Sequence, residues 1–153
     1  MPDFHQPRLR KTSSERLRSA REEDIITHQA IDPHLCGTPQ QVEQGYSRVA
    51  LRTSQAMAVD HLGLVHGGFI FGLADYAAMI AVNHPNVVLG AADVKFLKPV
   101  RVDETVVAEA RVEEHQGKKH YVAVSVSNQK GEVVFQGMFT CFILENHVLG
   151  PHQ

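Results

Sequence analysis

The sequence predicts an α+β domain in which a curved antiparallel sheet wraps around one central, buried helix. Three observations predict it. Residues 69–82 are apolar on every side of a helix, the mark of a helix with no solvent face. The segments after it alternate apolar and polar residues with a period of two. The pairs Gln116-Gly117 and Lys130-Gly131 separate those segments as hairpin turns do, so neighbouring strands run antiparallel.

The elements follow in chain order. Residues 1–20 are polar and basic and read as a tail or a loosely docked helix; residues 22–30 are expected to form a short helix, closed by the Asp32-Pro33 turn signal. Residues 34–40, with Gly37 and Pro39, read as a loop. Residues 42–52 read as one strand with Val49 and Leu51 on a common face, and 61–63 as a loop. The helix over 69–82 stops at Asn83-His84-Pro85, where proline cannot continue it. Strands are then expected over 87–99, 102–112, 121–127 and 133–144. In the second of these Val106, Ala108, Ala110 and Val112 point inward, and in the third Val122, Val124 and Val126 do. The domain is expected over residues 25–148, after a basic tail of residues 1–24.

At 153 residues, 43% hydrophobic and 21% charged, the chain has ordinary globular composition and the length of one domain. Its net charge of −2 is unevenly spread. Residues 1–21 carry six basic against two acidic residues, a net of +4; the rest carries nine against fifteen, a net of −6. An acidic body argues against nucleic acid as the main partner. Two cysteines, Cys36 and Cys141, make no disulfide framework, no segment reads as a secretory signal, and no apolar run reaches membrane-spanning length. A soluble cytoplasmic protein is the expectation.

Asp75 is the sharpest signal for chemistry. It lies in the middle of the most apolar helix, where an unpaired carboxylate costs several kcal/mol or has its pKa forced upward. The bland alternative is a salt bridge, but no Lys or Arg lies within a turn of it. His66-Gly67-Gly68 opens the same helix. Glycines let a ligand approach the backbone, and free N–H groups at a helix start suit a developing negative oxygen. Eight residues separate Gly67 from Asp75, about 12 Å of helix. One reacting carbonyl therefore cannot touch both groups of one helix, which implies two chains sharing each site. Asp60 precedes this loop and reads as a turn residue. Lys95, Lys98, Arg101, Lys118 and Lys119 form the main basic cluster, either plain surface charge or contacts for phosphates. His61/His66 and His115/His120 have the wrong spacing for a helical metal site, and no metal is expected. Cys36 with His34 two residues away has no other support as a nucleophile.

The stretch from Gly63 to Asp75 (GLVHGGFIFGLAD) resembles the signature of hotdog-fold acyl-CoA thioesterases of the phenylacetic-acid-pathway type. Phe96-Leu97-Lys98-Pro99-Val100 and the strand after it resemble their second signature. The resemblance spans residues 42–144. It implies the hotdog fold, a homodimer or a homotetramer of two dimers, and hydrolysis of an acyl-CoA thioester at a site shared across the dimer interface. It assigns Asp75 as general base or nucleophile, the Gly67 N–H as the group that polarises the thioester carbonyl, and His66 as the residue shaping that turn. Substrate contacts are expected from Gly68, Phe69, Tyr76, Met79, Lys98 and Arg101. No cofactor is expected beyond the coenzyme A carried by the substrate, and neither nucleic acid nor membrane is an expected partner. One departure stands out: many members carry Asn six residues before the motif histidine, where this chain has Asp60, which by that position is also counted among the catalytic candidates. Two carboxylates meeting in one site would raise one pKa. The competing class is a module that binds or senses acyl-CoA without cleaving it; a hotdog dehydratase fits less well, lacking that group's Pro-Gly context.

Overall fold

A computed structural model describes residues 24–150. The basic leader, within residues 1–23, lies outside the described residues. The elements are a single helical turn α1 (Pro33–Cys36), β1 (Thr38–Glu43), β2 (Tyr46–Arg52), the long helix α2 (Gly67–Val82), β3 (Val87–Phe96), β4 (Thr105–Gln116), β5 (Lys119–Ser127) and β6 (Val133–Ile143). The strands form one sheet in the order β1-β2-β4-β5-β6-β3, with every neighbouring pair antiparallel.

The inner face is the one the alternation marks. Val49 and Leu51 of β2, Val106, Ala108 and Ala110 of β4, and Val122, Val124 and Val126 of β5 are all buried against α2. Small residues dominate the contact: Ala77, Ala78 and Ala81 on the helix face Ala108 and Ala110 on the sheet, so the two backbones approach closely. One polar bond crosses this layer, with the buried Ser47 hydroxyl donating to the Ala77 carbonyl at 2.6 Å. It satisfies the one hydroxyl on an otherwise apolar strand face.

Three local expectations are corrected. Residues 42–52 are not one strand: the chain turns at Gln44 and Gly45, where Gly45 has φ +74°, and β1 pairs back on β2. A two-residue turn with a glycine at positive φ is a hairpin, and it was hidden between two runs of similar composition. Residues 34–40 are not a loop: Asp32 caps a helical turn with Pro33 at its start, and Thr38 opens β1 opposite Ala50. From Asp24 onward, the expected helix over 22–30 is an irregular strap. Its hydrogen bonds go to the end of α2, where Asn83 accepts from the Ile26 N–H through Oδ1 and donates to the Asp24 carbonyl through Nδ2. With Ile25 and Thr27 buried, tertiary contacts outweigh the weak helical preference.

β3 closes one edge of the sheet and, among the described residues, pairs only with β6. It is short of burial for so apolar a strand: Val87 is buried, while Phe96 is 57% exposed and Leu97 just beyond it 46%. The strand stops at Phe96 because the next two N–H groups, of Leu97 and Lys98, both turn to the Val134 carbonyl ahead of Pro99. β3 lies tight on β6 at Gly137, where an added Cβ would sit 2.5 Å from the Asp93 carbonyl oxygen and 2.6 Å from Val94 Cγ1. Gly137→Ala is therefore expected to cost roughly 1–3 kcal/mol through overpacking. Urea unfolding checks this, and an unchanged midpoint would contradict the β3–β6 register.

Candidate active site

Helix α2 carries both groups singled out in the sequence. Asp75 lies between Ala74 and Tyr76, which are buried, and its Oδ1 is buried with no hydrogen-bond partner. No ion pair reaches it among the described residues. Desolvation raises its pKa to about 6. The carboxyl opens into a cleft of about 350 Å³ walled by Met79, Pro85, Val87, Val88 and Leu89, with His28, Asn86, His147 and Val148 also lining it. Both thiols feel Asp75. Burial and then the carboxylate push Cys36 up, and the same two causes push Cys141 up to about 12. These are protonated, unactivated thiols, and the ring of His34 is bonded to Asp32.

The start of α2 is a built turn. His66 is the N-cap, and its Nδ1 accepts from the Gly68 N–H at 2.8 Å. A Cβ at Gly68 would lie 2.8 Å from that same nitrogen, so glycine here makes room for the capping ring. A Cβ at Gly67 would meet the Phe96 ring at 3.1 Å. With the Gly68 N–H spent on the cap, the Gly67 N–H is the donor left at the helix end, where the macrodipole favours negative charge. It borders a second cleft, of about 340 Å³, lined by Val65, Ile70, Phe96, Leu97, Lys98 and Val134 among others.

The remaining residues divide between these places. Met79 lines the Asp75 cleft, and Lys98 lines the Gly67 cleft while ion-paired to Glu132. Phe69 is half-buried, with its ring set edge-on to His66. Arg101 is exposed on the segment whose backbone bridges to Leu64. Tyr76 points elsewhere, into a cleft made with Ile25, Gln29, Ile31 and Gly37. Asp60 is exposed, and its Oδ1 accepts from the N–H groups of Leu62 (3.0 Å) and Leu64 (3.3 Å). It folds the loop leading to His66, and burial accounts for the raised pKa of Asp75 without it.

Sequence reasoning missed His28 and His147. Both reach the Asp75 cleft from segments flanking the sheet, and no spacing pattern links either to Asp75. Within one chain the two clefts stay apart. The Asp75 cleft borders the Val87 end of β3 and the Gly67 cleft its Phe96 end.

Comparison with known proteins places this architecture. The thioesterase superfamily profile matches residues 62–135, the span holding α2, β3, β4 and β5. An uncharacterised protein of Pyrococcus horikoshii is 52% identical, aligns over 82% of this chain and 95% of its own, and superposes with a TM-score of 0.80. A Streptococcus mutans protein solved bound to acetyl CoA shares the fold at 22% identity and a TM-score of 0.66, over 72% of this chain and 90% of that one. Two curated relatives are longer. Methylthioribose-1-phosphate isomerase of Aquifex aeolicus is 53% identical over 124 residues, 80% of this chain but 27% of that protein. Transcription factor FapR of Caldanaerobacter subterraneus is 33% identical over 86 residues, 56% of this chain and 42% of that protein. The chain thus spans well under half the length of either. No helix among the described residues is long and apolar enough to cross a membrane. With its single long helix wrapped by a six-stranded antiparallel sheet the chain has the hotdog fold, and the part of it over residues 62–135 matches the thioesterase superfamily.

Proposed function

We propose that the protein is an acyl-CoA thioesterase acting in the cytoplasm, at a site built from two copies of the chain. The observation that carries this reading is the half-buried Asp75 carboxylate, whose buried Oδ1 has no hydrogen-bond partner among the described residues and which opens to a cleft. A base whose pKa is raised to about 6 is mostly ionised at neutral pH yet basic enough to take a proton from water. The thioesterase profile and the acetyl-CoA-bound neighbour support coenzyme A thioesters as the substrate class.

The open edge of the sheet supports the second copy. Among the described residues the outer edge of β3 is unpaired, and antiparallel pairing with another β3 would extend the sheet and cover Phe96 and Leu97. Such pairing sets the Val87 end of one strand beside the Phe96 end of the other. Asp75 of one protomer then meets Gly67 of the partner subunit, which removes the 12 Å obstacle within α2, a length of about 1.5 Å per residue over eight residues. In the reaction, Asp75 takes a proton from water as the water oxygen attacks the thioester carbon. The partner subunit's Gly67 N–H faces the oxyanion. The C–S bond then breaks, the sulfur takes up a proton, and the products are a carboxylic acid and the coenzyme A thiol. One such N–H donor contributes about 3 kcal/mol in the transition state.

A second reading is a module that holds acyl-CoA without cleaving it; the similarity to FapR, which is named a transcription factor and not a hydrolase, favours it. Thiol release by the purified protein from a panel of acyl-CoAs separates the two, since binding without release selects this second reading.

Three outcomes follow from the Asp75 assignment. Asp75→Asn should lower kcat by about 100-fold or more, the usual worth of a general base, while acyl-CoA binding persists; full activity in this variant would sink the assignment. The kcat/KM profile of the wild-type protein should rise with pH through about 6 and level off above it, because the ionised carboxylate is the active form. Stability should move the opposite way. The folded carboxyl keeps its proton up to about pH 6, against an ordinary value of 3.8, so its stabilising effect is complete below about 3.8 and is lost as pH rises through 6. Asp75→Asn should therefore be more stable than wild type at pH 8, with the gap closing toward pH 4 in paired denaturation curves.

A further inference from the structure

The Asp75 cleft holds two imidazoles that the proposed hydrolysis does not use. His28 arrives on the strap of residues 24–31, which Asn83 ties to the end of α2 through the Asp24 carbonyl and the Ile26 N–H and which buried Ile25 anchors in the core. His28 itself has φ +52°, in the left-handed region where histidine, like asparagine and aspartate, is found more often than other residues with a side chain. Its Nδ1 lies 2.7 Å from the hydroxyl of Thr27, a residue only 5% exposed, so the ring is oriented from beneath. His147 arrives from beyond β6, and its Nδ1 accepts from the Leu149 N–H at 3.0 Å.

Both rings thus commit Nδ1 to the fold, and among the described residues nothing bonds Nε2. For His147 this fixes the tautomer: Nδ1 accepts, so Nε2 carries the hydrogen of the neutral ring and donates. His28 does the same when the Thr27 hydroxyl donates to it. Desolvation lowers the pKa of His28, which keeps that ring neutral at neutral pH. The wall they adjoin is mostly apolar, with Met79, Val87, Val88 and Leu89, and Asn86 is its other polar residue besides Asp75. An apolar wall with a few convergent polar groups is how a small-molecule site fixes orientation.

We propose that His28, with His147, is a specificity-determining residue that hydrogen-bonds an oxygen on the acyl group, so that the cleft selects acyl chains bearing an oxo, hydroxyl or carboxylate oxygen over plain alkyl chains. The inference rests on the acyl-CoA reading of the same cleft. Both residues are exposed in the single protomer, so water serves their donors there; a plain chain seated against them would displace that water and leave the two imidazole donors without partners, which is the penalty that lets a polar site reject an analogue lacking the matching group.

The test uses a matched four-carbon set: butyryl-CoA, 3-hydroxybutyryl-CoA, 3-oxobutyryl-CoA and succinyl-CoA. Dissociation constants are measured by calorimetry on full-length Asp75→Asn, so that turnover does not interfere. At least one oxygenated thioester is expected to bind about tenfold or more tightly than butyryl-CoA, and which one does so separates oxo, hydroxyl and carboxylate. Adding His28→Gly, which relaxes the backbone while removing the ring, should bring the preference to within about twofold. His28→Asn, which tolerates the left-handed conformation and keeps a donor, should retain part of it. Butyryl-CoA binding as tightly as all three others, an intact preference in His28→Gly, or no binding of any of the four would each overturn the proposal. Thiol release by the wild-type protein is followed in parallel. Binding preference without thiol release would defeat the hydrolase reading and leave the His28 assignment standing.

Discussion

The burial of α2 governs this structure. A sixteen-residue helix with no polar face must be covered, and the curved sheet covers it through β2, β4 and β5. Alanines on both surfaces let the backbones come close, and Ser47 bonds to the helix carbonyl of Ala77 within that contact. A helix held so closely is a rigid mount. Whatever it carries at its N-terminus and along its less covered side is fixed relative to the sheet, as a reacting group must be.

That same burial gives Asp75 its character. A carboxylate on a solvated helix would have an ordinary pKa. Here its neighbours in the helix are buried and much of its cleft wall is apolar, so desolvation moves its pKa toward neutrality. The group destabilises the fold where it is ionised, and a position that works against stability is where function is to be sought. The start of α2 is ordered differently, by local bonds: Asp60 folds the preceding loop, His66 caps the helix, and Gly68 leaves room for the capping ring.

Asn83 links the end of the helix to the wall of the cleft. It ends α2 in a left-handed conformation, its N–H bonds the Met79 carbonyl, and its side chain holds the strap that brings His28 to the cleft. One residue thus stops the helix and fixes part of the surroundings of Asp75.

The class of fold and the chemistry-bearing helix were legible in the sequence, because both rest on local periodicity. The all-round apolar pattern of residues 69–82 and the alternation around Val106, Ala108 and Val124 left little choice of partner surfaces. Asp75 and the His66-Gly67-Gly68 turn were legible for the same reason, one as a charge breaking a pattern and the other as turn chemistry. The β1–β2 hairpin was hidden for a local reason, a positive φ at Gly45 between two similar runs. Elements whose form depends on distant contacts were not legible. The strap from Asp24 is irregular because Asn83 and the core claim its bonds. Long-range packing placed His28 and His147 beside Asp75, turned Tyr76 to another cleft and, among the described residues, left β3 as an open edge. These last are decided by residues far apart in the chain, and periodicity carries no information about what lies across a cleft.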